Sequence, residues 1–293
     1  MLIVILLVTL RTESIIINQI IIMKVKSLLL ALVLPLFISV PAMAGKHWVA
    51  TWATAEQVVE PHNCPPAPYL ENNSIRQIVQ VSISGKKIRL KFSNEFSKGP
   101  VTINAAEVAI AATAGSSSDI IAGTEKSLTF NGSPSVTIQP GELVISDPIN
   151  FKLNNRENVA ITMHLGEASS TSVTGHPGSR TTSYIAEGQT SDFSNATATA
   201  HWYIINAIEV FAEKNARAVV VLGNSITDGR GSTTDQQNRW TDNLSRRLLE
   251  NKSTKRVAVL NMGLGGNCIL NGGLGPTGRS RYNRDLFQQE GVK

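Results

Sequence analysis

The chain has 293 residues, 42% of them hydrophobic and 17% charged, with a formal net charge of +5. That length accommodates one large or two ordinary domains with real cores, and the composition is ordinary for a soluble globular protein. Two cysteines, Cys64 and Cys268, are too few for a disulfide framework, and no Cys/His cluster has zinc spacing, so no metal or other cofactor is expected.

The N-terminus reads as a targeting segment rather than part of a fold. In "MKVKSLLLALVLPLFISVPAMAG", Lys24 and Lys26 form a charged region, Ser27 to Val40 an apolar one, and Ala42-Met43-Ala44 a cleavage site. Residues 1–22 have no place in such a signal, so Met23 is the expected start and 1–22 an upstream extension. Leu2 to Leu10 and Ser27 to Val40 are each too short to span a bilayer. The expectation is export to the periplasm or beyond, with residues 1–44 removed and no stable membrane anchoring. The mature chain is unevenly charged: residues 45–213 carry 11 basic and 15 acidic side chains, and residues 214–293 carry 13 and 6. The basic end lacks the aromatic interleaving of a single-strand binder, so no nucleic-acid partner is expected.

Residues 45–213 read as β structure. "IRQIVQVSI" and "KKIRLKFSN" alternate on either side of Ser84-Gly85 and predict a hairpin, with Ile88, Leu90 and Phe92 on one face and Arg89 and Lys91 on the other. "VTINAAEVAIAA", "SVTIQPGELVIS" and "NVAITMHLG" continue the pattern, punctuated by Asn131-Gly132, Pro140-Gly141 and Asn154-Asn155. Many short strands with regular turns predict a β-sandwich or jelly roll.

From Lys214 the pattern changes. "RAVVVLG" predicts a strand buried on both faces. "NRWTDNLSRRLLENK" predicts a helix with Trp240, Leu244 and Leu248 on its apolar face, and "RVAVLNMG" a second buried strand. A βαβ unit is a parallel pair, and in such sheets chemistry collects at the carboxyl ends of the strands. Gly223-Asn224-Ser225 ends the first strand and Asn261 to Asn267 the second, so the two loops are expected to be neighbours. Gly223 to Ser225 fits neither a phosphate loop, which needs a following Lys, nor a Gly-x-Ser-x-Gly elbow, because Thr227 stands where the second Gly belongs.

"GNSITDGRGS" followed by "NMGLGGN" resembles the first two sequence blocks of the SGNH, or GDSL-type, esterase superfamily. "WVATWATA", "TGHPGSRTTSYI", "HWYIINAIEV" and "GGNCILNGGLGPTGRSRYNRD" are similar to its arylesterase-like branch associated with xylan-degradation clusters. The resemblance covers the chain after Ala44. It implies a second domain, 214–293, that is the start of an α/β hydrolase with a parallel sheet. It implies Ser225 as nucleophile, with the Ser225 and Gly266 N–H groups as oxyanion donors, and Asn224 where the family has Asp. It also implies a third donor, an Asn, and a His preceded three residues earlier by Asp, both from later blocks. All five histidines, His47, His62, His164, His176 and His201, precede Ser225. The expectation is therefore a C-terminally truncated chain with little turnover of its own.

The leading functional reading is an exported serine esterase acting on a small ester or an acylated carbohydrate. The alternative is an exported carbohydrate-binding β protein with a vestigial hydrolase segment. Asp228 is expected to cap the next segment, Trp202 and Tyr203 to be core, and Arg180 and Arg230 to be solvated surface. Protein recovered from the periplasm or medium is expected to begin at Gly45. Intact-mass measurement checks this, and retention of Leu2 to Val40 would refute it.

Overall fold

The computed structural model describes residues 45–293, so the signal segment expected at 1–44 lies outside the described residues. In chain order the strands are β1 (Lys46–Ala53), β2 (Gln57–Val58), β3 (Ser74–Gln80), β4 (Gly85–Ser93), β5 (Val101–Ile110), β6 (Lys126–Leu128), β7 (Val136–Ile138) and β8 (Leu143–Ile145). They continue with β9 (Ile149–Leu153), β10 (Asn158–Leu165), β11 (Thr174–His176), β12 (Ser183–Ala186), β13 (Thr197–Thr199), β14 (Trp202–Tyr203) and β15 (Ile205–Glu213). Then follow β16 (Arg217–Gly223), a single helical turn α1 (Ser225–Asp228), α2 (Trp240–Glu250), β17 (Val257–Gly263) and α3 (Gly278–Tyr282). Of these strands, β2 pairs with β11 and β11 with β14 in a small third sheet.

The fold is mostly antiparallel β. One sheet runs β1-β15-β4 with β8 and β9 on the far edge of β4. The other runs β13-β12-β3-β10-β5 with β6 and β7 on β5. Their apolar faces share one core: Val49, Ile88, Leu90, Phe92 and Val210 from the first sheet, and Ile75, Val79, Ile103, Val108 and Val159 from the second. The alternation in β4 is as expected, with Ile88, Leu90 and Phe92 buried. Arg89 and Lys91 point the other way and hold the fully buried Glu209 of β15 at 2.5 and 2.6 Å.

The expected hairpin at Ser84-Gly85 does not form. β3 pairs with β10 and β12, whereas β4 pairs with β15, β8 and β9, so the link crosses from one sheet to the other. The cause is local to the link: Ser82 N–H donates to the Thr51 carbonyl at 2.7 Å and Ile83 N–H to Thr51 Oγ1 at 2.8 Å. These bonds carry the chain over β1 instead of back along β3.

Residues Lys46–Lys293 form one compact unit. The change of pattern near 214 is visible as a tight turn, Ala216 N–H to Glu213 O at 2.8 Å. The core does not divide there, because Ala218, Ala258, Leu260 and Met262 pack in the sandwich cluster. β16 and β17 pair in parallel, from Arg217↔Val257 to Gly223↔Gly263. The wider parallel sheet that the resemblance implies is not seen among the described residues. β17 is buried as expected, but β16 is not buried on both faces, since Val219 is 40% exposed.

The apolar face expected for α2 is also corrected. Trp240 is 43% exposed, and the buried positions are Thr241 and Ser245. They face a polar cavity of about 40 Å³ rather than a hydrocarbon core, and Thr241 Oγ1 accepts from Asn261 Nδ2 at 3.1 Å. The helix meets the sheet through the Thr241 hydroxyl, with Leu249 as an apolar anchor, while Ser245 Oγ has no partner among the described residues.

Besides its core packing and a backbone bridge between Thr54 and Asn261, β17 is tied to the sandwich by one side chain. Ser82 Oγ donates to the Val259 carbonyl at 2.9 Å and accepts from the Val259 N–H at 3.1 Å, completing the strand edge opposite β16. Ser82→Ala leaves two buried backbone groups unpaired, so a loss of about 1–3 kcal/mol for each is expected. Denaturant titration checks this. A single transition with a lowered midpoint is expected, because the two segments share a core; a loss below about 0.5 kcal/mol would mean that water replaces the hydroxyl there.

Candidate functional site

The loop after β16 is shaped by three short-range effects. Asn224 caps α1, its side chain accepting from Ile226 N–H at 3.3 Å. The turn stops at Gly229, whose N–H returns to the Ser225 carbonyl at 3.1 Å, and Arg230 N–H reaches the same oxygen at 2.7 Å. Gly263, at the end of β17, lies directly under the turn: a Cβ there would collide with the Asp228 backbone nitrogen, so only glycine admits this approach. Ser225 therefore stands at the N-terminus of a turn resting on the strand ends. Its Oγ has no hydrogen-bond partner among the described residues.

The second loop meets the first as expected. Leu264 N–H donates to the Gly223 carbonyl at 3.1 Å. Gly266 adopts φ +68°, and its carbonyl accepts from Leu274 N–H at 3.0 Å. Its own N–H has no backbone partner among the described residues. Ser225 and Gly266 line one open cleft of about 520 Å³, within the range of small-molecule sites. The opposite lining comes from the sandwich: Gln57, Glu60, Asn63, Pro177, Arg180 and His201.

Two side chains hold these loops: Arg281, to which the sequence pattern assigns no role, and Asp228, expected as a cap. Arg281 is 1% exposed. It donates to the Met262 carbonyl at 2.7 Å, the Gly223 carbonyl at 3.0 Å, Asn267 Oδ1 at 3.0–3.1 Å and Asp285 Oδ2 at 2.7 Å. One guanidinium thus ties both strand ends to the Gly266 loop. Burial lowers its pKa, and Asp285 opposes that shift. The only sequence signal was the Arg281/Asp285 spacing of four.

Asp228 does not cap a following segment. Its Oδ1 is 2.8 Å from His176 Nε2, both residues are buried, and His176 Nδ1 donates to the Ala55 carbonyl at 2.7 Å. Because Nδ1 donates to that carbonyl, Nε2 is the nitrogen that faces the carboxylate. The pair joins the Ser225 turn to β11.

His201 lines the cleft and is half-buried. Its Nδ1–H donates to the Pro177 carbonyl at 2.7 Å, which leaves Nε2 as the acceptor nitrogen of the neutral ring. Burial lowers its pKa, favouring that neutral form near pH 7. Trp202 and Tyr203 are core, with Trp202 edge-to-face on Trp52 at 5.1 Å. Cys64 and Cys268 are both free thiols. No group of three His, Cys, Asp or Glu side chains among the described residues could hold a metal ion, and no described helix is long and apolar enough to cross a membrane.

No known protein-family model matches the chain, and no curated protein matches it. The functional reading therefore rests on this geometry and on the sequence blocks.

Beneath the cleft, between Ala55 and Gln57, Glu56 is 1% exposed. Asn206 Nδ2 donates to its Oε2 at 2.9 Å, and Oε1 has no partner. Burial outweighs the Asn206 bond and pushes the carboxyl from 4.5 up to about 8. Between those pH values the unfolded chain has released a proton that the folded chain keeps, so stability falls as pH rises. The contribution is full below pH 4.5 and lost as pH passes about 8. Glu56→Gln is expected to flatten that decline, measured by denaturant titrations from pH 5 to 8. An identical slope in both proteins would mean that Glu56 is ionised throughout.

Proposed function

We propose that the protein is an exported serine esterase of the SGNH type, acting on a small ester or an acylated carbohydrate. The observation that carries this reading is the convergence of Ser225 and Gly266 on one cleft, each with an N–H that makes no backbone bond across the loop. Ser225 Oγ attacks the ester carbonyl carbon, and the Ser225 and Gly266 N–H groups receive the charge that develops on the carbonyl oxygen. Collapse of the tetrahedral intermediate expels the alcohol, which takes up the serine's proton from the base. Water, deprotonated by the same base, then releases the acid and regenerates Ser225.

The Asp-x-x-His that the resemblance implies as base is not in this sequence. The base that this sequence offers is His201, the histidine in the lining of the Ser225 cleft, with Nε2 free to accept. Ser225 and His201 are not hydrogen-bonded to one another, and bringing them together falls to substrate binding, as is common where a site is empty of substrate.

Hydrolysis of p-nitrophenyl acetate tests both statements. Weak turnover is expected, falling to the buffer rate in Ser225→Ala and by about 10²-fold or more in His201→Gln. Turnover that survives Ser225→Ala would remove the serine from the reaction. Serine-dependent turnover indifferent to His201→Gln would remove only the histidine.

A further inference from the structure

Seven arginines among the described residues are buried or partly buried, and six spend their guanidinium on the protein. Arg76 donates to Thr162 and the Ser118 carbonyl, Arg89 to Glu209, and Arg156 to the Asp242 carbonyl. Arg239 donates to Ser179 and Thr181, Arg281 to the strand ends, and Arg284 to Asp285. Arg180 is the exception. It makes no side-chain hydrogen bond or ion pair with the described residues, and its Nε is buried without an acceptor.

Its position is imposed from both sides. Arg180 sits at φ +49°, a left-handed conformation that an ordinary residue keeps only where its surroundings enforce it. Asp235 enforces it: its N–H donates to the Arg180 carbonyl at 3.0 Å, and its carboxylate accepts from Thr182 N–H and Oγ1 at 2.7 and 2.8 Å. On the other side Ser179 and Thr181 are held by Arg239. The loop is locked, and the one side chain left without a partner lines the Ser225 cleft.

A second unpaired arginine lies there too. Arg230 lines the cleft, its backbone N–H bound to the Ser225 carbonyl, and its guanidinium pairs with no described carboxylate. The acids in the lining are engaged elsewhere. Glu60 accepts from Gln57 at 2.6 Å on one oxygen and from Asn63 at 2.9 Å on the other; Asp228 meets His176 through Oδ1, while its Oδ2 is buried without a partner.

We propose that Arg180, together with Arg230, forms a carboxylate-binding subsite of this cleft, and that the substrate is an ester that also carries a carboxylate. The proposal rests on the esterase reading and names its substrate class. A guanidinium fork matches the planar carboxylate in a bidentate fashion, and a partly buried one gains most from an acceptor that replaces the missing hydrogen bond.

The test is equilibrium binding to the Ser225→Ala chain, in which no turnover interferes. Monomethyl succinate, an ester with a carboxylate, is compared by titration calorimetry with dimethyl succinate, its neutral counterpart. Preference for the monoester of about tenfold or more is expected, weakening with added salt. Arg180→Gln is expected to abolish it and Arg180→Lys, which keeps the charge but not the fork, to retain part. The exposed Arg230→Gln, which threatens no packing, should reduce the preference too, and thermal melts show whether each variant is folded. Equal binding of the two ligands, no binding of the monoester, or a preference that survives in folded Arg180→Gln would each overturn the subsite. Its failure is separable from that of the esterase reading, which is decided by Ser225-dependent turnover and not by binding.

Discussion

The buried hydrogen bond between His176 and Asp228 is the contact on which the cleft depends. A helix of one turn has no cooperativity of its own, since nucleation costs more than a single turn returns. α1 is such a turn, so the direction of Ser225 is set from outside. Asp228 closes the turn and is gripped by His176 of β11, in the small β14-β11-β2 sheet; His176 is in turn fixed by the Ala55 carbonyl. Gly263 lets the turn settle onto β17, and Arg281 holds the strand ends beneath it. The segment that carries the serine is thereby built partly from a histidine about fifty residues earlier.

Polar groups, rather than hydrocarbon alone, form much of this seam. Ser82 completes the edge of β17, Thr241 meets Asn261, and Arg239 reaches across to Ser179 and Thr181. Each of these groups is buried or partly buried and each finds a partner, which is the condition under which polar burial is tolerable. Polar seams of this kind fix one relative arrangement, because a small slip leaves several donors unpaired at once. Glu56 is a costlier member, meeting burial by holding its proton.

Local patterns were legible in the sequence, and partners across the fold were not. The alternation in β4, the burial of β17, the parallel pair β16–β17 and the meeting of Ser225 with Gly266 all follow from period and from the rule that loops at strand ends converge. The hairpin at Ser84-Gly85 was misread because alternation states which face is buried but not which strand lies alongside. Thr51, 32 residues before Ile83, decides that. Trp240, Leu244 and Leu248 are spaced as an apolar face, yet α2 turns hydroxyls inward toward a polar cavity that no local pattern encodes. Asp228 reads locally as a cap because its partner, His176, is distant in the chain, and Arg180 reads as surface because Asp235, which fixes its loop, is distant too.

The strand β1 receives hydrogen bonds from chain far away on both of its edges. One side pairs with β15, Lys46 opposite Glu213, and on the other Ala50 donates its N–H to the Glu290 carbonyl at 2.9 Å. Loops of that length must close before these contacts return any free energy, so folding is governed by non-local pairing and is slow compared with that of a helical protein of the same size. As the chain emerges from a ribosome, the first described strand keeps part of that edge, at Ala50, open until residue 290 is free. Over that interval β1 is an unpaired sheet edge, the kind of surface that invites pairing between molecules. That edge closes fully only when the two ends of the described chain meet.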